Sequence, residues 1–209
     1  MNKTLSYYNN SARSFIEGTI DADLSDLRQR FLNYLPDSAH ILDLGCGSGR
    51  DSKSFLEQGY TVTAMDGSIE CCKLASDYIG QEVLCKTFEE LDFDQAFEGV
   101  WACASLLHVA YEKLTGIFEK IAQALKPGGV LYASFKYGDF EGERNGRYFT
   151  DLTEKRLKVL LDPVEGFEII ETFVTEDMRE DRDGEKWLDV ILEKSCNRYV
   201  EKTRRDINY

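Results

Sequence analysis

The chain has 209 residues, of which 43% are hydrophobic, which suits one domain with a buried core and excludes a disordered chain. Its net charge of −13 argues against non-specific binding to nucleic acid or to a membrane surface. The sequence contains neither an apolar run near the roughly 20 residues of a membrane span nor the apolar core of a signal peptide, so we expect a cytoplasmic protein.

Predicted strands and helices alternate along most of the chain. The predicted helices are 21–35, Asp51–Gln58 closed by Gly59, 69–79 between Ser68 and Gly80, 114–125, and 153–161. The predicted strands are Ala39–Leu44, Tyr60–Met65, Glu82–Lys86, Gly99–Ser105, Val130–Phe135, Phe167–Val174 and Trp187–Leu192. This alternation predicts an α/β fold with a mostly parallel sheet and helices on both faces. A polar segment joins the last two strands, so we expect them to pair antiparallel at one edge.

Cysteine and histidine usage bears on redox state and on metal binding. No two cysteines have C-x-x-C spacing, and the chain has two histidines, His40 and His108. We therefore expect reduced, mostly buried thiols and no metal site. The cysteines are Cys46, Cys71, Cys72, Cys85, Cys103 and Cys196.

Three glycines follow the first predicted strand, at the end of a parallel sheet where ligands bind. Gly45, Gly47 and Gly49 permit a tight turn and a close approach of the backbone to a ligand. The dinucleotide fingerprint G-x-G-x-x-G needs its third glycine one place later, where this chain has Arg50. The glycines alone therefore do not identify the ligand.

Two carboxylates flank the glycine loop and narrow the choice of ligand. Asp66 ends the second predicted strand, where it can accept hydrogen bonds from both hydroxyl groups of a ribose. Asp43 precedes the loop, where it can pair with an ammonium group and would repel a pyrophosphate. A ligand with a nucleoside at one end and an amino acid at the other fits both carboxylates. S-adenosylmethionine is such a ligand.

Four segments resemble the class I S-adenosylmethionine-dependent methyltransferases, in particular their small stand-alone bacterial members near the tellurite-resistance type. They are ILDLGCGSGRD (41–51), VTAMDGS (62–68), FEGVWACASLLHV (97–109) and LKPGGVLYASFK (125–136). The resemblance implies a Rossmann-like sheet of seven strands in the order 3-2-1-4-5-7-6, with strand 7 antiparallel. It divides a single domain into an N-terminal lid and helix (1–37) and a methyltransferase core (38–209).

The resemblance also implies which residues bind S-adenosylmethionine. They are Gly45, Gly47, Gly49 and Ala104 at the methionine moiety, Asp66 at the ribose, Gly67 and Ser68 at the adenosine, and Thr87 and Phe88 at the adenine edge. Structural alternatives stay open: the glycines can serve only the turn, and Asp66 can cap the following helix. Likewise, Asp43 can be a hydrogen-bond partner within the loop, and Phe88 can be a core residue.

Methyl transfer from a sulfonium needs alignment and exclusion of water more than it needs a catalytic triad. In similar methyltransferases a tyrosine-rich N-terminal stretch folds over the methionine end, and it is the candidate lid here. Tyr8 would line the site of the transferred methyl group, and Arg13 would pair with the cofactor carboxylate. His108 follows the fourth predicted strand and is a candidate general base, or alternatively an anchor for the next helix.

A polar loop predicted at Lys136–Arg147 would lie over the acceptor pocket. In it, Lys136, Tyr137 and Arg147 are candidates to bind an anionic group of the acceptor, and Arg144 is a weaker one. The mixed charges of this segment can equally serve solvation.

We therefore expect a methyltransferase that acts on a small molecule, with no membrane partner. An RNA methyltransferase is the first alternative, because residues 194–206 carry five basic and two acidic residues. A non-catalytic regulatory partner that binds S-adenosylmethionine is the second. The acceptor atom and the oligomeric state are left open by the sequence.

Overall fold

The computed structural model describes residues 2–177 and 184–195, so Cys196 and residues 196–206 of the basic segment lie outside the described residues. Its helices are α1 (Lys3–Glu17), α2 (Ser25–Leu32), α3 (Arg50–Glu57), α4 (Ile69–Ile79), α5 (Tyr111–Ala124) and α6 (Glu154–Leu161). Its strands are β1 (His40–Leu44), β2 (Thr61–Asp66), β3 (Leu84–Cys85), β4 (Phe97–Ala102), β5 (Leu125–Lys136), β6 (Glu141–Arg144), β7 (Arg147–Thr150), β8 (Phe167–Glu176) and β9 (Lys186–Lys194). Short 3₁₀ helices, Phe88–Glu90 and Leu106–His108, follow β3 and β4.

The seven strands of the central sheet lie in the order β3-β2-β1-β4-β5-β9-β8. The pairs from β3 to β5 are parallel. β9 runs antiparallel between β5 and β8. Numbered among themselves, these strands have the order 3-2-1-4-5-7-6, so the predicted fold class, strand order and antiparallel edge are confirmed.

Helices cover both faces of the sheet, as predicted. α5 and α6 pack on one face through apolar side chains, and the apolar period of α5 is buried there. On the other face, Phe31 of α2 and Phe55 of α3 pack around Trp101, whose ring stacks on Tyr132 with centroids 4.0 Å apart. The inner strands β1, β4 and β9 are mostly buried, which explains their apolar sequence, whereas the edge strand β8 is largely exposed.

The prediction of a polar loop at Lys136–Arg147 is wrong, because the segment contains a β-hairpin. β6 pairs antiparallel with β7, and Arg144 lies opposite Arg147 across a two-residue turn. The turn residues Asn145 and Gly146 have positive φ values of 49° and 78°. Asn-Gly is the pair that such turns favour. The signal was therefore present in the sequence, although the mixed charges around it favoured a loop.

The N-terminal segment is more regular than predicted. Residues 3–17 form α1, whose first turn is capped by the Asn2 side chain, which accepts hydrogen bonds from the N–H groups of Thr4 and Leu5. The helix predicted at 21–35 is confined to α2.

The five cysteines among the described residues are free thiols. Cys46, Cys71 and Cys72 are buried, Cys103 is half-buried and Cys85 is exposed. Among the described residues, none of the helices has both the length and the apolar character needed to cross a bilayer.

Candidate functional site

A cavity of about 760 Å³ opens at the edge of the sheet where β1, β2 and β4 end. Its size is typical of small-molecule sites, which are roughly 300–1,000 Å³. Two groups of lining residues differ in chemistry. The glycine-loop side comprises Asp43, Gly45, Gly47, Asp66, Gly67, Thr87, Phe88 and Ala104. The hairpin side comprises Tyr8, Phe15, His108, Arg147, Tyr148 and Phe149.

The glycine loop turns directly after β1. Gly45 and Gly47 line the cavity and have φ values of 83° and 54°, a left-handed conformation that favours glycine. A Cβ on Gly45 would lie 2.5 Å from the Cβ of Ser105, so a larger residue does not fit there. Gly49 does not line the cavity, and a Cβ on it would lie 2.8 Å from Cγ2 of Ile79. The ligand contact predicted for Gly49 is therefore corrected to a packing position at the start of α3.

Asp66 ends β2 and fixes the glycine loop from the neighbouring strand. Its Oδ2 accepts a hydrogen bond from the N–H of Gly47 at 2.9 Å, and its Oδ1 accepts one from the N–H of Ser68 at 2.8 Å. Burial raises the pKa of this carboxyl group, and the two N–H donors oppose the rise. A carboxylate has about four acceptor positions, so about two remain for hydroxyl groups of a ligand.

Some of the residues that follow β2 and β3 line the cavity, and others only support the fold around it. Gly67, Thr87 and Phe88 line the cavity, in the places predicted for the nucleoside end. Ser68 does not line it. Its Oγ caps α4 and donates a hydrogen bond to Oδ1 of Asn9 at 2.8 Å, which ties α4 to α1. The adenosine contact predicted for Ser68 is thus corrected to a scaffold role.

Asp43 lies on β1 beneath the glycine loop. Its Oδ2 accepts a hydrogen bond from Oγ of Ser52 at 2.6 Å, and the carboxyl group is buried. Burial and then the negative charge of Asp51 raise the pKa of Asp43 to about 7. The carboxyl group therefore changes charge near neutral pH. A cationic group of a ligand beside it would stabilise its ionised form and would itself be bound.

Ala104 follows β4 and also lines the cavity. Its φ of 50° is uncommon for a residue with a Cβ. Its N–H donates a hydrogen bond to Oγ of Ser134 at 2.8 Å, so β5 supports this conformation. Strained backbone of this kind is often found at functional sites.

The sequence pattern did not predict a buried cluster of charged residues that lies beneath the glycine loop. Asp51 forms ion pairs with Arg28 and Arg50, both at 2.7 Å, and accepts a hydrogen bond from Nε1 of Trp101 at 3.0 Å. Burial alone would raise the pKa of Asp51, but the two guanidinium groups outweigh burial and lower it. Adjacent Arg50 and Asp51 were visible after the glycines, whereas the partner on α2 was not.

Three residues far apart in sequence meet on the hairpin side. Oη of Tyr8 lies 2.9 Å from Nε2 of His108, and Nη1 of Arg147 donates a hydrogen bond to Oη of Tyr8 at 3.3 Å. Nδ1 of His108 lies 2.6 Å from the carbonyl oxygen of Tyr148. Burial lowers the pKa of His108 to about 4 and raises the pKa of Tyr8.

The guanidinium of Arg147 lies among aromatic rings. Its centre is 4.7 Å from the ring of Tyr7 and 5.2 Å from the ring of Phe149. Its Nε is buried and, among the described residues, has no hydrogen-bond partner. The ion pairs within residues 2–177 and 184–195 do not include Arg147. It is therefore a cation at the cavity with unused donors.

Other candidates for anion binding are exposed or already paired. Arg13 is exposed and does not line the cavity, because it lies five positions after Tyr8 and therefore on another face of α1. Tyr137 is exposed and donates its hydroxyl hydrogen to a glutamate of α6. The contacts predicted for both are thus corrected. Lys136 lines the cavity but forms ion pairs with two carboxylates, and Arg144 is paired with Asp151.

Sequence comparison finds methyltransferases. A profile of a methyltransferase domain matches residues 41–129. The ubiquinone biosynthesis O-methyltransferase of Nitrobacter winogradskyi is 33% identical over 115 residues, which covers 52% of this chain and 42% of that protein. The chain thus matches less than half of the length of this relative.

Comparison with solved structures covers most of the chain. The 1,6-didemethyltoxoflavin-N1-methyltransferase of Burkholderia thailandensis, solved with 1,6-didemethyltoxoflavin and S-adenosylhomocysteine, has a TM-score of 0.75 at 24% identity, over 91% of this chain and 87% of that one. A S-adenosylmethionine-dependent methyltransferase of Methanosarcina mazei has a TM-score of 0.69 at 25% identity, over 83% and 99%. At this identity the first likeness shows the shared fold.

Proposed function

We propose that this chain, a class I S-adenosylmethionine-dependent methyltransferase by its sequence and its fold, transfers a methyl group to a small-molecule acceptor with an anionic group. The observation that carries the proposal is a single cavity with two complementary sides. Asp66 and the glycine loop lie at one side, and the unpaired cation of Arg147 lies at the other.

The glycine-loop side fits S-adenosylmethionine by its donors and acceptors. Asp66 has acceptor positions left for the ribose hydroxyls, and Asp43 offers a carboxyl group to the ammonium. Phe88 lines the cavity and would contact the adenine. When bound, the cofactor supplies a methyl group on a positively charged sulfur. The remaining contributions come from residues of the chain.

The hairpin side fits a small, negatively charged acceptor. Arg147 supplies the cation, and rings of Tyr8 and Phe149 line the same side. The Nitrobacter relative is named for ubiquinone biosynthesis, and the Burkholderia structure holds 1,6-didemethyltoxoflavin. Both names support a small-molecule acceptor for this chain.

Catalysis would come from alignment and from exclusion of water, and α1 supplies the cover. Thr4 Oγ1 accepts a hydrogen bond from the N–H of Tyr148 at 2.9 Å, which ties α1 to the hairpin. Asn9 accepts the hydroxyl hydrogen of Ser68, which ties α1 to the glycine-loop side. A helix held at both sides keeps two reactants together in a dry space, which favours in-line transfer.

Two measurements test this function. In calorimetry we expect heat with S-adenosylhomocysteine and none with NAD or FAD, and the reverse result would contradict the cofactor. The protein is then given methyl-labelled S-adenosylmethionine and a bacterial cell extract separated into small-molecule, RNA and protein fractions. Label in the small-molecule fraction supports the proposal, and label in RNA supports the RNA alternative. Binding without transfer to any fraction supports the regulatory alternative.

A further inference from the structure

Both ring nitrogens of His108 are engaged, and the two contacts fix its protonation. The carbonyl oxygen of Tyr148 can only accept, so Nδ1 of His108, 2.6 Å away, carries the proton. Nε2 of the neutral ring is then an acceptor, and the hydroxyl of Tyr8 donates to it at 2.9 Å. The oxygen of Tyr8 accepts from Arg147 at 3.3 Å. Hydrogen bonds therefore run in one direction, from Arg147 through Tyr8 and His108 to the backbone.

The surroundings of His108 oppose a second proton. The groups that face it are the Tyr8 hydroxyl from α1, and the Tyr148 carbonyl and the Arg147 guanidinium from β7. Burial and the charge of Arg147 lower the pKa of His108 to about 4, while the carbonyl of Tyr148 opposes the fall. None of these groups is a carboxylate, which is the usual partner that stabilises a catalytic imidazolium.

We propose that His108 is a positioning residue that orients the Tyr8 hydroxyl, and that the acceptor enters with its nucleophilic atom already ionised and facing Arg147. This replaces the general-base role predicted for His108. The inference rests on the proposed function and narrows its substrate class. The acceptors that fit are small acids whose ionised atom is the nucleophile, such as acidic phenols, enols or N–H heterocycles.

An ionised acceptor removes the need for a base. A lone pair of the acceptor forms the bond to the methyl carbon, and the pair of the carbon–sulfur bond stays with sulfur. An anion and a sulfonium thereby become two neutral products, and no proton leaves. Arg147 then faces an uncharged product, which favours its release.

Nitrogen-15 NMR of the imidazole rings tests the role of His108 in the whole protein, with and without S-adenosylhomocysteine. The chain has two histidines, so His40→Asn leaves the signals of His108 alone. We expect a neutral ring protonated at Nδ1 that does not titrate from about pH 8 to about pH 5. In Tyr8→Phe we expect the Nε2 resonance to move and the Nδ1 resonance to stay. A ring protonated at Nε2, or one that titrates at about pH 6–7, would overturn the positioning role.

Paired probes test the substrate class on protein saturated with S-adenosylhomocysteine. 4-Nitrophenol ionises near neutral pH, and 4-nitroanisole is its neutral methyl ether. We expect the anion to bind at least about tenfold more tightly than the ether, and Arg147→Met to remove that preference (about 1.4 kcal/mol). Arg147→Lys keeps the charge and should keep part of the preference.

Equal affinity for the two probes, no binding of either, or an unchanged preference in Arg147→Met would overturn the inference. Failure of the proposed function is distinguishable, because it would appear earlier as absence of S-adenosylhomocysteine binding. The histidine measurement does not depend on cofactor binding.

Discussion

The two sides of the cavity are built in different ways. The glycine-loop side is formed largely by backbone next to the ends of β1 and β2. There, Asp66 accepts hydrogen bonds from the N–H groups of Gly47 and Ser68. The hairpin side comes from side chains of three separate segments, because Tyr8, His108 and Arg147 lie on α1, after β4 and on β7. Construction from local backbone leaves a motif in the sequence, whereas construction from distant side chains does not. The methyl donor can therefore be inferred from sequence, and the acceptor needs the structure.

We expect the largest loss of cofactor affinity from a substitution on the glycine-loop side, at Asp66. Asp66→Ala removes the acceptor of two backbone N–H groups and the acceptor proposed for the ribose hydroxyls. We expect the Kd for S-adenosylhomocysteine to rise about 100-fold or more, because two hydrogen bonds to a charged group contribute roughly 1.5–3 kcal/mol each. Calorimetry gives the Kd, and Asp77→Ala is the matched control, since Asp77 is an exposed aspartate of α4 that does not line the cavity.

A Kd of Asp66→Ala within about threefold of the parent value would contradict the assignment. If Asp77→Ala weakened binding equally, the loss would not be specific to Asp66, and the assignment would be rejected as well.

A smaller effect is expected from α1, which contacts both sides. Removing residues 1–15 takes away most of the helix that ties the glycine-loop side to the hairpin side, together with the Tyr8 contact. We expect cofactor binding to weaken by about tenfold or more, or about 1.4 kcal/mol. Lys73→Ala is the control, because its ion pair with Glu70 is exposed and outside the cavity, and such pairs contribute little. Unchanged affinity in the shortened protein, with its fold verified by circular dichroism, would reject the lid.

The smallest effect concerns Asp43 and depends on pH. Burial and Asp51 raise its pKa to about 7. A raised carboxyl pKa stabilises the fold at acid pH, and that contribution is lost as pH rises from the unfolded value towards about 7. Without cofactor we therefore expect Asp43→Asn to raise the Tm by about 2–4 °C at pH 8 and to leave it unchanged at about pH 4.

Thermal denaturation at several pH values checks this expectation, and Asp37→Asn, at an exposed position, is the control. The same variant sharpens the comparison of the two sides. If the cofactor ammonium meets Asp43, binding lowers its pKa and releases a proton near pH 7. Binding heats measured in buffers of different ionisation enthalpy would then differ for the parent and agree for Asp43→Asn.

The elements that the sequence predicted are those with local signals. The Ser68 cap and the left-handed Gly80 define α4, and the apolar period of α5 is long and regular. The strand order followed from the family resemblance, since alternation alone does not order a sheet. Asp66 could be proposed as a binding residue because it lies at a strand end beside the glycine loop.

The features that were missed depend on distant partners. The exposed face of Arg13 could not be seen until α1 was known to be a helix. The histidine at 108 was identified correctly as lying at the cavity, but its neutral state depends on a carbonyl 40 residues later in the chain. The hairpin itself was marked by Asn-Gly, and the surrounding charges were given more weight than that turn signal.

The independence of the β6–β7 hairpin has a further consequence. These two strands form their own sheet and, among the described residues, share no ladder with the seven strands beneath them. Such a unit can change in sequence without breaking a strand pairing of the seven-stranded sheet, provided that its hydrogen bonds to α1 and His108 are kept. If Arg147 binds the acceptor as proposed, grafting a foreign hairpin at the same two junctions would be a direct route to changing the acceptor.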